Sequence, residues 1–425
     1  MWVTICDNEL EQTIDGSISD IAVELLAMEA SPLSALRLGE HALLYAYLGL
    51  DKPYEDWHDR SLNCLNLAIE RLSITPTLHL GLYGGLAGFG WMVQHVVSIL
   101  SRKEVGVASE ESEMDDPLSE LDQHILHLFE NEDILGQNYD LISGYVGIGI
   151  YWLERLPSKN ALLGIRLTLN SLHQLSKNTP IGITWFTPPF LVPPIQKEFT
   201  HSGYFNLGVA HGVPGVIAFL AQAAALESDE EITKTASTLL VGSIKWLLAQ
   251  QRPPDFISRY SSWNVPGRDC GDTRLAWCYG DLGIASVLRF VAQCTKNPIW
   301  MTEARSLIER CTLWKMNTEV LDAPLCHGAF GNAHLFNRAY QAHHENSYKQ
   351  AALYWIRKGL TLRKPGVGIA GYYAWRPDAI PCEQTDSSFL TGAVGVALAL
   401  LSAISPIEPK WDRIMLLSGV QHLSN

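Results

Sequence analysis

The stretch Leu275–Phe290, LAWCYGDLGIASVLRF, carries the pattern that decides the fold. Within it, Gly280 and Gly283 form a Gly-x-x-Gly pair, which apolar residues follow at one, four, five and eight positions past the second glycine. These residues are Ile284, Val287, Leu288 and Val291. Their spacing is that of a helix that buries one face. A single Gly-x-x-Gly pair is weak evidence, so the fold depends on whether the pattern recurs.

The glycine pair occurs six times along the chain, four times with the complete apolar spacing and twice with part of it, and a seventh, degenerate copy precedes the others. The pairs are Gly85/Gly88, Gly144/Gly147, Gly212/Gly215, Gly280/Gly283, Gly328/Gly331 and Gly392/Gly395. In the degenerate copy, Leu36 replaces the first glycine and Gly39 is the second. The intervening stretches are long enough for a second helix in each unit. Helical hairpins that repeat in series bury a continuous core.

The two kinds of helix differ in charge. The glycine-led helices carry almost none, whereas the second helices are amphipathic. This difference indicates an inner layer enclosed by an outer one, and it predicts an all-α fold, an α/α toroid of seven helical hairpins in one domain over residues 1–425. The degenerate first repeat is expected to loosen ring closure. Residues 179–207 are expected to be an insertion, because their Pro clusters exclude a helix and their aromatic residues permit short strands.

In such a ring the inner helices run parallel, so their amino ends meet at one mouth. Unpaired N–H groups and positive dipole ends are expected to attract anions there. Side chains one or two positions before the first glycine of a pair point to the same place. The reactive types at this offset are Cys278 and Tyr279, Cys326 and His327, and His211.

Composition excludes several other classes of protein. A net charge of −14 argues against nucleic-acid binding, which needs a basic face. Between positions 104 and 133 lie eleven Asp and Glu residues and no Lys or Arg, a run typical of solvated surface. Neither a secretory signal nor an apolar stretch long enough to cross a bilayer is visible, which predicts a cytoplasmic protein. In that reducing compartment, eight scattered cysteines favour ligands or nucleophiles over disulfides.

Cys278, Cys326 and His327 form the donor set of a three-ligand zinc site. Such a site keeps its fourth tetrahedral position for water or substrate, which is typical of catalytic zinc. Neighbours in mid-helix diverge by about 100°, but Cys326 and His327 stand at a loop–helix junction and can face one point. The alternative is that the cysteines are small buried apolar residues and the histidine an interior one. The shared offset favours one Zn2+ per chain.

Three further residues are candidates for catalysis. His211 is a candidate acid or base, because the pKa of histidine lies near neutral pH. Arg274, four residues before Cys278, could stabilise developing negative charge or form a surface ion pair. Asp140, four residues before Gly144, could orient His211 or Arg274, or cap its own helix.

These motifs resemble those of the lanthionine synthetase C-like family, which includes the bacterial lanthipeptide cyclases. Over nearly the whole length the following segments stand in family order: DLISGYVGIG, YFNLGVAHGVPG, RLAWCYGDLGIA, LCHGAFGNAH and SSFLTGAVGVALAL. The combination of Trp-Cys-Tyr-Gly with a later Cys-His-Gly is the most specific part of this resemblance. The resemblance implies seven inner and seven outer helices. It also implies zinc on Cys278, Cys326 and His327, and functional roles for His211, Asp140, Arg274 and Tyr279.

In that family the substrate is a precursor peptide with a leader, whose Ser and Thr have already been dehydrated. The resemblance implies Michael-type addition of peptide Cys thiols to dehydroalanine or dehydrobutyrine, in lantibiotic biosynthesis. It also implies a separate dehydratase and a peptide transporter as partners, which would bring the protein to the inner membrane face. The addition leaves an enolate, for which His211 is the first candidate proton donor and Tyr279 the second. Arg274 or protonated His211 would stabilise the enolate, and Asp140 would hold that group in place.

Three other functions stay open. A related toroid binds zinc and glutathione, or adds glutathione to dehydrated proteins. A zinc-dependent alkyl or prenyl transferase would use the same metal chemistry. A metal-free α/α glycosidase would need two carboxylates at the mouth, where only Asp140 is expected.

Overall fold

The structure, a computed structural model, describes residues 1–29, 33–72, 79–101, 116–131, 135–193, 196–197, 201–226, 229–313, 320–376 and 379–419. Within these ranges the chain forms fourteen α-helices, two for each predicted repeat. They are α1 (Asn8–Met28), α2 (Ala35–Asp51), α3 (Trp57–Leu72), α4 (Leu86–Leu100), α5 (Ser119–Asn131), α6 (Tyr145–Glu154), α7 (Lys159–Leu175), α8 (Val213–Ala224), α9 (Glu230–Leu248), α10 (Asp281–Cys294), α11 (Pro298–Leu313), α12 (Ala329–His343), α13 (Asn346–Thr361) and α14 (Ala393–Ile404).

The helices alternate between two concentric layers. Each even-numbered helix packs against the next even-numbered one from α2 to α14, and α14 packs against α2. The odd-numbered helices lie outside them: α3 on α2, for example, and α11 on α10, while α1 covers α14. The predicted α/α toroid of seven helical hairpins is therefore confirmed. The expectation that the degenerate first repeat loosens the ring is wrong, because α2 contacts both α4 and α14.

Burial explains the two layers. Every residue of α8 from Val213 to Ala223 is buried, whereas the buried residues of α9 follow one stripe. A helix that is apolar on all sides has to be covered on all sides, and an amphipathic helix on one side only. The outer helix α9 begins at a side-chain cap, where the Asp229 carboxylate accepts the Ile232 N–H at 3.0 Å. Among the described helices, none is both long and apolar enough to span a membrane.

Six inner helices begin differently, directly after the first glycine of a pair and without a side-chain cap. In four of them, α4, α6, α12 and α14, the loop before the helix folds back, so that its carbonyl groups accept the first helical N–H groups. The Leu86 N–H of α4 donates to the His79 carbonyl at 2.9 Å, and the Tyr145 N–H of α6 donates to the Asn138 carbonyl at 3.1 Å. The prediction of unpaired N–H groups at the mouth is therefore wrong for α4, α6, α12 and α14.

The Gly-x-x-Gly pair is required by this fold-back. A Cβ on Gly283 would overlap the carbonyl group of Trp277, in the loop that passes over the first turn of α10. Gly280 has a φ of 99°, a conformation that residues with a side chain rarely adopt. The pair thus lets the preceding loop lie directly on the start of the inner helix.

Three pairs of short antiparallel strands accompany the ring. They are β1 (Lys177–Thr179) with β2 (Gly182–Thr184), β3 (Phe205–Asn206) with β4 (Trp263–Asn264), and β5 (Ala374–Trp375) with β6 (Glu383–Gln384). The strands predicted for residues 179–207 are present, but β1 begins before that stretch and β4, β5 and β6 lie elsewhere. Residues 194–195 and 198–200 of the stretch lie outside the described residues. So do residues 104–115 and 132–133 of the acidic run.

The last part of the described chain fills the centre of the ring. Its 3₁₀ helix, Lys410–Met415, contacts opposite sides of the inner layer. The Arg413 guanidinium donates to the Glu154 carboxylate of α6 at 3.2 Å, and the Asp412 carboxylate accepts from Arg338 of α12 at 2.6 Å. We call residues 410–419 the central segment.

The central segment also reaches the loops at the mouth. The Tyr83 hydroxyl donates to the Ile414 carbonyl at 3.0 Å, and the Trp277 indole N–H donates to the Met415 carbonyl at 2.9 Å. Both donors lie in loops that precede inner helices. The central segment therefore forms the floor beneath the mouth, a feature that the sequence did not predict.

Candidate metal centre

Backbone hydrogen bonds link the loops that precede the inner helices. The Cys326 N–H donates to the Leu390 carbonyl at 3.0 Å, the Cys278 N–H to the Cys326 carbonyl at 3.2 Å, and the Val209 N–H to the Cys278 carbonyl at 2.9 Å. Similar bonds join two further pairs of loops: Leu141 to Ala210, and Tyr83 to Ile142. Residues two positions before the first glycine therefore lie side by side around the mouth. This is why Cys278 and Cys326 are neighbours in space although they are far apart in sequence.

The three predicted metal ligands lie together at this mouth. Ligand atoms of Cys278, Cys326 and His327 all lie within 4.8 Å of one another. Ligands of one tetrahedral zinc ion stand roughly 3.3–3.8 Å apart, so this cluster is compact enough for a common ion. The backbone of Gly328 is extended, with φ −91° and ψ 179°, so Cys326 and His327 precede the helix and can face the same point. Two thiols and an imidazole are donors that suit zinc, and the cluster could hold a metal ion.

The two thiols are hydrogen-bonded to each other. A hydrogen bond with Cys326 holds the pKa of Cys278 well below its usual range despite burial, and the charges of His327 and Arg274 act in the same direction. The pKa of Cys326 is raised by its hydrogen bond to Cys278 and by burial. Burial disfavours the charged form of His327, but the Asp322 carboxylate outweighs it and raises the pKa of that imidazole to about 9. The paired sulfurs are therefore arranged for a cation that balances both of their charges.

His211 is held by a carboxylate, as one of the alternatives predicts. Its Nδ1 lies 2.6 Å from Oδ2 of Asp140, whose other oxygen accepts the Ser143 N–H at 2.9 Å. Asp140 thus contacts His211 and also fixes the turn before α6, and among the described residues it does not contact Arg274. Burial opposes a charged imidazole, but the hydrogen bond and charge of Asp140 raise the pKa of His211. The His211 side chain is 44% exposed, so its proton is accessible at the mouth.

Tyr279 and Arg274 complete the predicted set. The Tyr279 hydroxyl accepts from Nδ2 of Asn206 at 3.0 Å, and its ring centre lies 6.5 Å from that of His211. Burial raises the pKa of Tyr279 well above its usual value, so the phenol keeps its proton at neutral pH. Arg274 is exposed and forms no ion pair within the described part of the chain. Its charge helps to lower the pKa of Cys278, so the guanidinium lies near the thiols.

Sequence reasoning missed two polar residues of this site, Asn206 and Asp322. Asn206 holds Tyr279, and Oδ2 of Asp322 lies 3.5 Å from Nε2 of His327. Both stand six positions before the first glycine of a pair. All six glycine pairs have a polar residue at this second offset: His79, Asn138, Asn206, Arg274, Asp322 and Asp386. Aligning the repeats at that offset would have found both residues.

The other six cysteines do not join the metal cluster. All eight cysteines are free, in agreement with the expected absence of disulfides. Burial raises the pKa of Cys6 and of Cys294 to about 12, so these thiols stay neutral. These two thiols are therefore not expected to act as nucleophiles at neutral pH.

Known proteins share this architecture. The family model "Lanthionine synthetase C-like protein" matches residues 41–416. The nisin biosynthesis protein NisC of Lactococcus lactis subsp. lactis is 24% identical over 291 residues, which cover 63% of this chain and 64% of that protein. The solved structure of nisin cyclase matches with a TM-score of 0.71 and 19% identity, covering 96% of this chain and 98% of that chain. A sugar epimerase from a ruminal bacterium matches at a TM-score of 0.41 and 8% identity, over 90% of this chain and 86% of that one, which is too distant to inform function.

Fold and site together define a class: an α/α toroid with two thiols, an imidazole and a histidine–carboxylate pair at one mouth. The family model covers most of the chain and includes all of these residues. The chain belongs to the lanthionine synthetase C-like family.

Proposed function

We propose that this protein is a lanthipeptide cyclase, which adds peptide Cys thiols to dehydroalanine or dehydrobutyrine and thereby closes thioether rings. The observation that carries the proposal is the convergence of Cys278, Cys326 and His327 within 4.8 Å at the mouth of a toroid of this family. The names of its relatives, a nisin biosynthesis protein and a nisin cyclase, support the same activity. We further propose that residues 1–425 act as one domain, with residues 179–207 as an insertion.

In this proposal Cys278, Cys326 and His327 hold one zinc ion, which when bound lowers the pKa of the incoming peptide thiol. A free thiol with a pKa of about 8.5 is only about 3% ionised at pH 7. Complete ionisation therefore raises the population of the nucleophile about thirty-fold, equivalent to about 2 kcal/mol. A lower pKa also makes sulfur a weaker nucleophile, so positioning of thiol and alkene at the mouth must supply much of the remaining acceleration.

The other residues of the site stabilise negative charge and transfer protons. The thiol sulfur bonds to the β-carbon of the alkene, and the displaced electron pair moves onto the adjacent amide as an enolate. Arg274 stabilises this oxyanion. His211, which Asp140 favours in its charged form, donates a proton to the α-carbon, and Tyr279 is the second candidate donor. One proton leaves the thiol and one arrives at carbon, so ring closure does not change the mass of the peptide.

The proposed substrate is a precursor peptide with a leader that has already been dehydrated. A dehydratase must therefore act earlier on the same peptide, and a transporter is a plausible later partner at the inner face of the membrane. We propose that all three act from the cytoplasm. The net charge of −14 supports a peptide partner over a nucleic acid.

The test is incubation with a dehydrated, Cys-containing precursor, followed by thiol alkylation and mass spectrometry. Ring closure is silent in mass, so the loss of alkylatable thiols is the readout. The wild type should remove free thiols, Cys326→Ala should not, and the control Cys382→Ala, which changes a cysteine outside the metal cluster, should behave as the wild type. Equal numbers of free thiols with the wild type and with Cys326→Ala would refute the proposal. Added glutathione tests the alternative, because a glutathione-adding enzyme would increase the peptide mass.

A further inference from the structure

The repeats supply an internal comparison for the position six residues before each first glycine. In most of them the side chain at this position accepts the N–H two residues further on. Nδ1 of His79 accepts from Gly81 at 3.0 Å, Asn138 from Asp140 at 3.3 Å, Asn206 from Gly208 at 2.8 Å, and Asp386 from Ser388 at 2.8 Å. The ordinary task of this position is therefore to fix the turn before an inner helix.

Asp322 occupies the same position but cannot make this bond. The residue two positions on is Pro324, which has no N–H group. The carboxylate of Asp322 instead turns to other partners. Its Oδ2 accepts the Trp375 N–H of β5 at 3.1 Å and lies 3.5 Å from Nε2 of His327.

The other carboxylate oxygen of Asp322, Oδ1, has no such partner among the described residues. The residue is 2% exposed, and among the described residues Oδ1 has no hydrogen-bond partner although it is buried. A buried carboxylate oxygen without a donor is costly, so a nearby donor is expected to use it. Nε2 of His327 is the ring nitrogen that faces the same carboxylate, 3.5 Å from its other oxygen, Oδ2.

We infer that Asp322 is a positioning residue that fixes the ring of His327 for the metal, and that Pro324 makes this possible by removing the competing N–H. With Nε2 directed at Asp322, Nδ1 is the nitrogen left for the thiol cluster. A carboxylate that holds the second nitrogen of a metal-bound histidine sets its tautomer and raises its basicity. The inference rests on the proposed metal site and deepens it.

The β5–β6 strand pair helps to orient the Asp322 carboxylate. The Trp375 N–H, held in β5, occupies one lone pair of Oδ2 and so fixes the direction of the Asp322 carboxylate. The separation of 3.5 Å between Oδ2 and Nε2 is longer than a hydrogen bond. The contact is therefore an electrostatic one that orients the imidazole ring.

The test is the zinc dissociation constant of the whole chain, measured by competition with a chromogenic chelator. Asp322→Asn keeps an acceptor for the Trp375 N–H but removes the negative charge, and should raise the zinc Kd about tenfold. The matched control is Asp386→Asn, which makes the same change at the same offset in the next repeat and should alter the Kd less than about twofold. Unfolding in urea without metal separates an effect on zinc from an effect on the fold.

Two further measurements keep the inference falsifiable. Pro324→Ala retains the carboxylate but returns the competing N–H, and should weaken zinc binding by a smaller factor than Asp322→Asn. Cobalt bound in place of zinc should keep its tetrahedral absorption bands in Asp322→Asn, because the three ligands are unchanged. A shift of those bands would overturn the inference, since it would make Asp322 itself a ligand.

Failure of the inference differs from failure of the proposed function. Equal zinc Kd values for the wild type, Asp322→Asn and Asp386→Asn would refute the role of Asp322 and leave the metal site standing. A wild-type chain that binds no zinc would refute the metal site itself.

Discussion

Replacing Gly331 with alanine is expected to disturb the metal centre through the backbone alone. Gly331 is the second glycine of the pair that follows Cys326 and His327. A Cβ at this position would overlap the carbonyl oxygen of Leu325 and lie 2.8 Å from its carbonyl carbon and 3.1 Å from its Cα, whereas ordinary contact begins at 3.4 Å. These are backbone atoms of the residue next to Cys326, so the loop must move by roughly 1 Å or more.

The expected change in the free energy of unfolding follows from two opposing effects of the alanine. Alanine gains about 1 kcal/mol over glycine in helix propensity. Overpacking costs about 1–3 kcal/mol, and the upper part of this range applies because backbone atoms cannot rotate away. The free energy of unfolding should therefore fall by about 1–2 kcal/mol. Because metal sites tolerate ligand displacements of only about 0.2 Å, the zinc Kd should also rise about tenfold or more.

The degenerate first repeat supplies the control. Gly39 stands at the equivalent position of α2, where the nearest atoms to a new Cβ are Sδ of Met92 at 3.5 Å and its Cβ at 3.9 Å. Gly39→Ala should therefore stabilise the protein by up to about 1 kcal/mol and leave zinc binding unchanged. Urea unfolding and chelator competition measure both quantities. Equal stability and equal zinc Kd for Gly331→Ala and Gly39→Ala would refute the steric explanation of the Gly-x-x-Gly pair.

Three further changes test the site and its floor. Asp140→Asn should lower the pKa of His211, so the alkaline fall of the cyclisation rate should move to lower pH, and an unmoved pH–rate profile would exclude His211 as the acid. Asp412→Asn should cost about 3–5 kcal/mol in urea unfolding, because it leaves the buried Arg338 without its closest carboxylate. Burial disfavours ionisation of Asp412, but Arg338 holds its pKa far below the usual 3.8, so only the unfolded chain takes up a proton there in acid; wild-type stability should fall below about pH 4, and this fall should be smaller in the Asn variant. Trp277→Phe should cost about 1–3 kcal/mol by leaving the carbonyl of the central segment without its donor, and unchanged urea unfolding would show that this bond does not hold the floor in place.

The helices and the clustering of the three candidate metal ligands were predictable because both depend on local repetition. The spacing of the apolar residues after Gly280 and Gly283 indicates one buried helix face, and its recurrence indicates a layer of such helices. In a ring built from equivalent units, equivalent offsets meet at one end. Cys278 and Cys326 could therefore be placed together from their offsets alone, although the sequence could not show the backbone hydrogen bonds that join their loops.

The features that only the tertiary structure decided do not recur from one repeat to the next. The central segment has no counterpart among the repeats, and its bond from Trp277 to Met415 joins residues 138 positions apart. The contact between Asp322 and the Trp375 N–H spans 53 positions and depends on how β5 lies against the ring. Periodicity tells which face of a helix is buried, but it carries no information on which irregular segment fills the space that a closed ring encloses. That choice is made by shape and by the need of buried polar groups for partners, and both exist only once the ring has assembled.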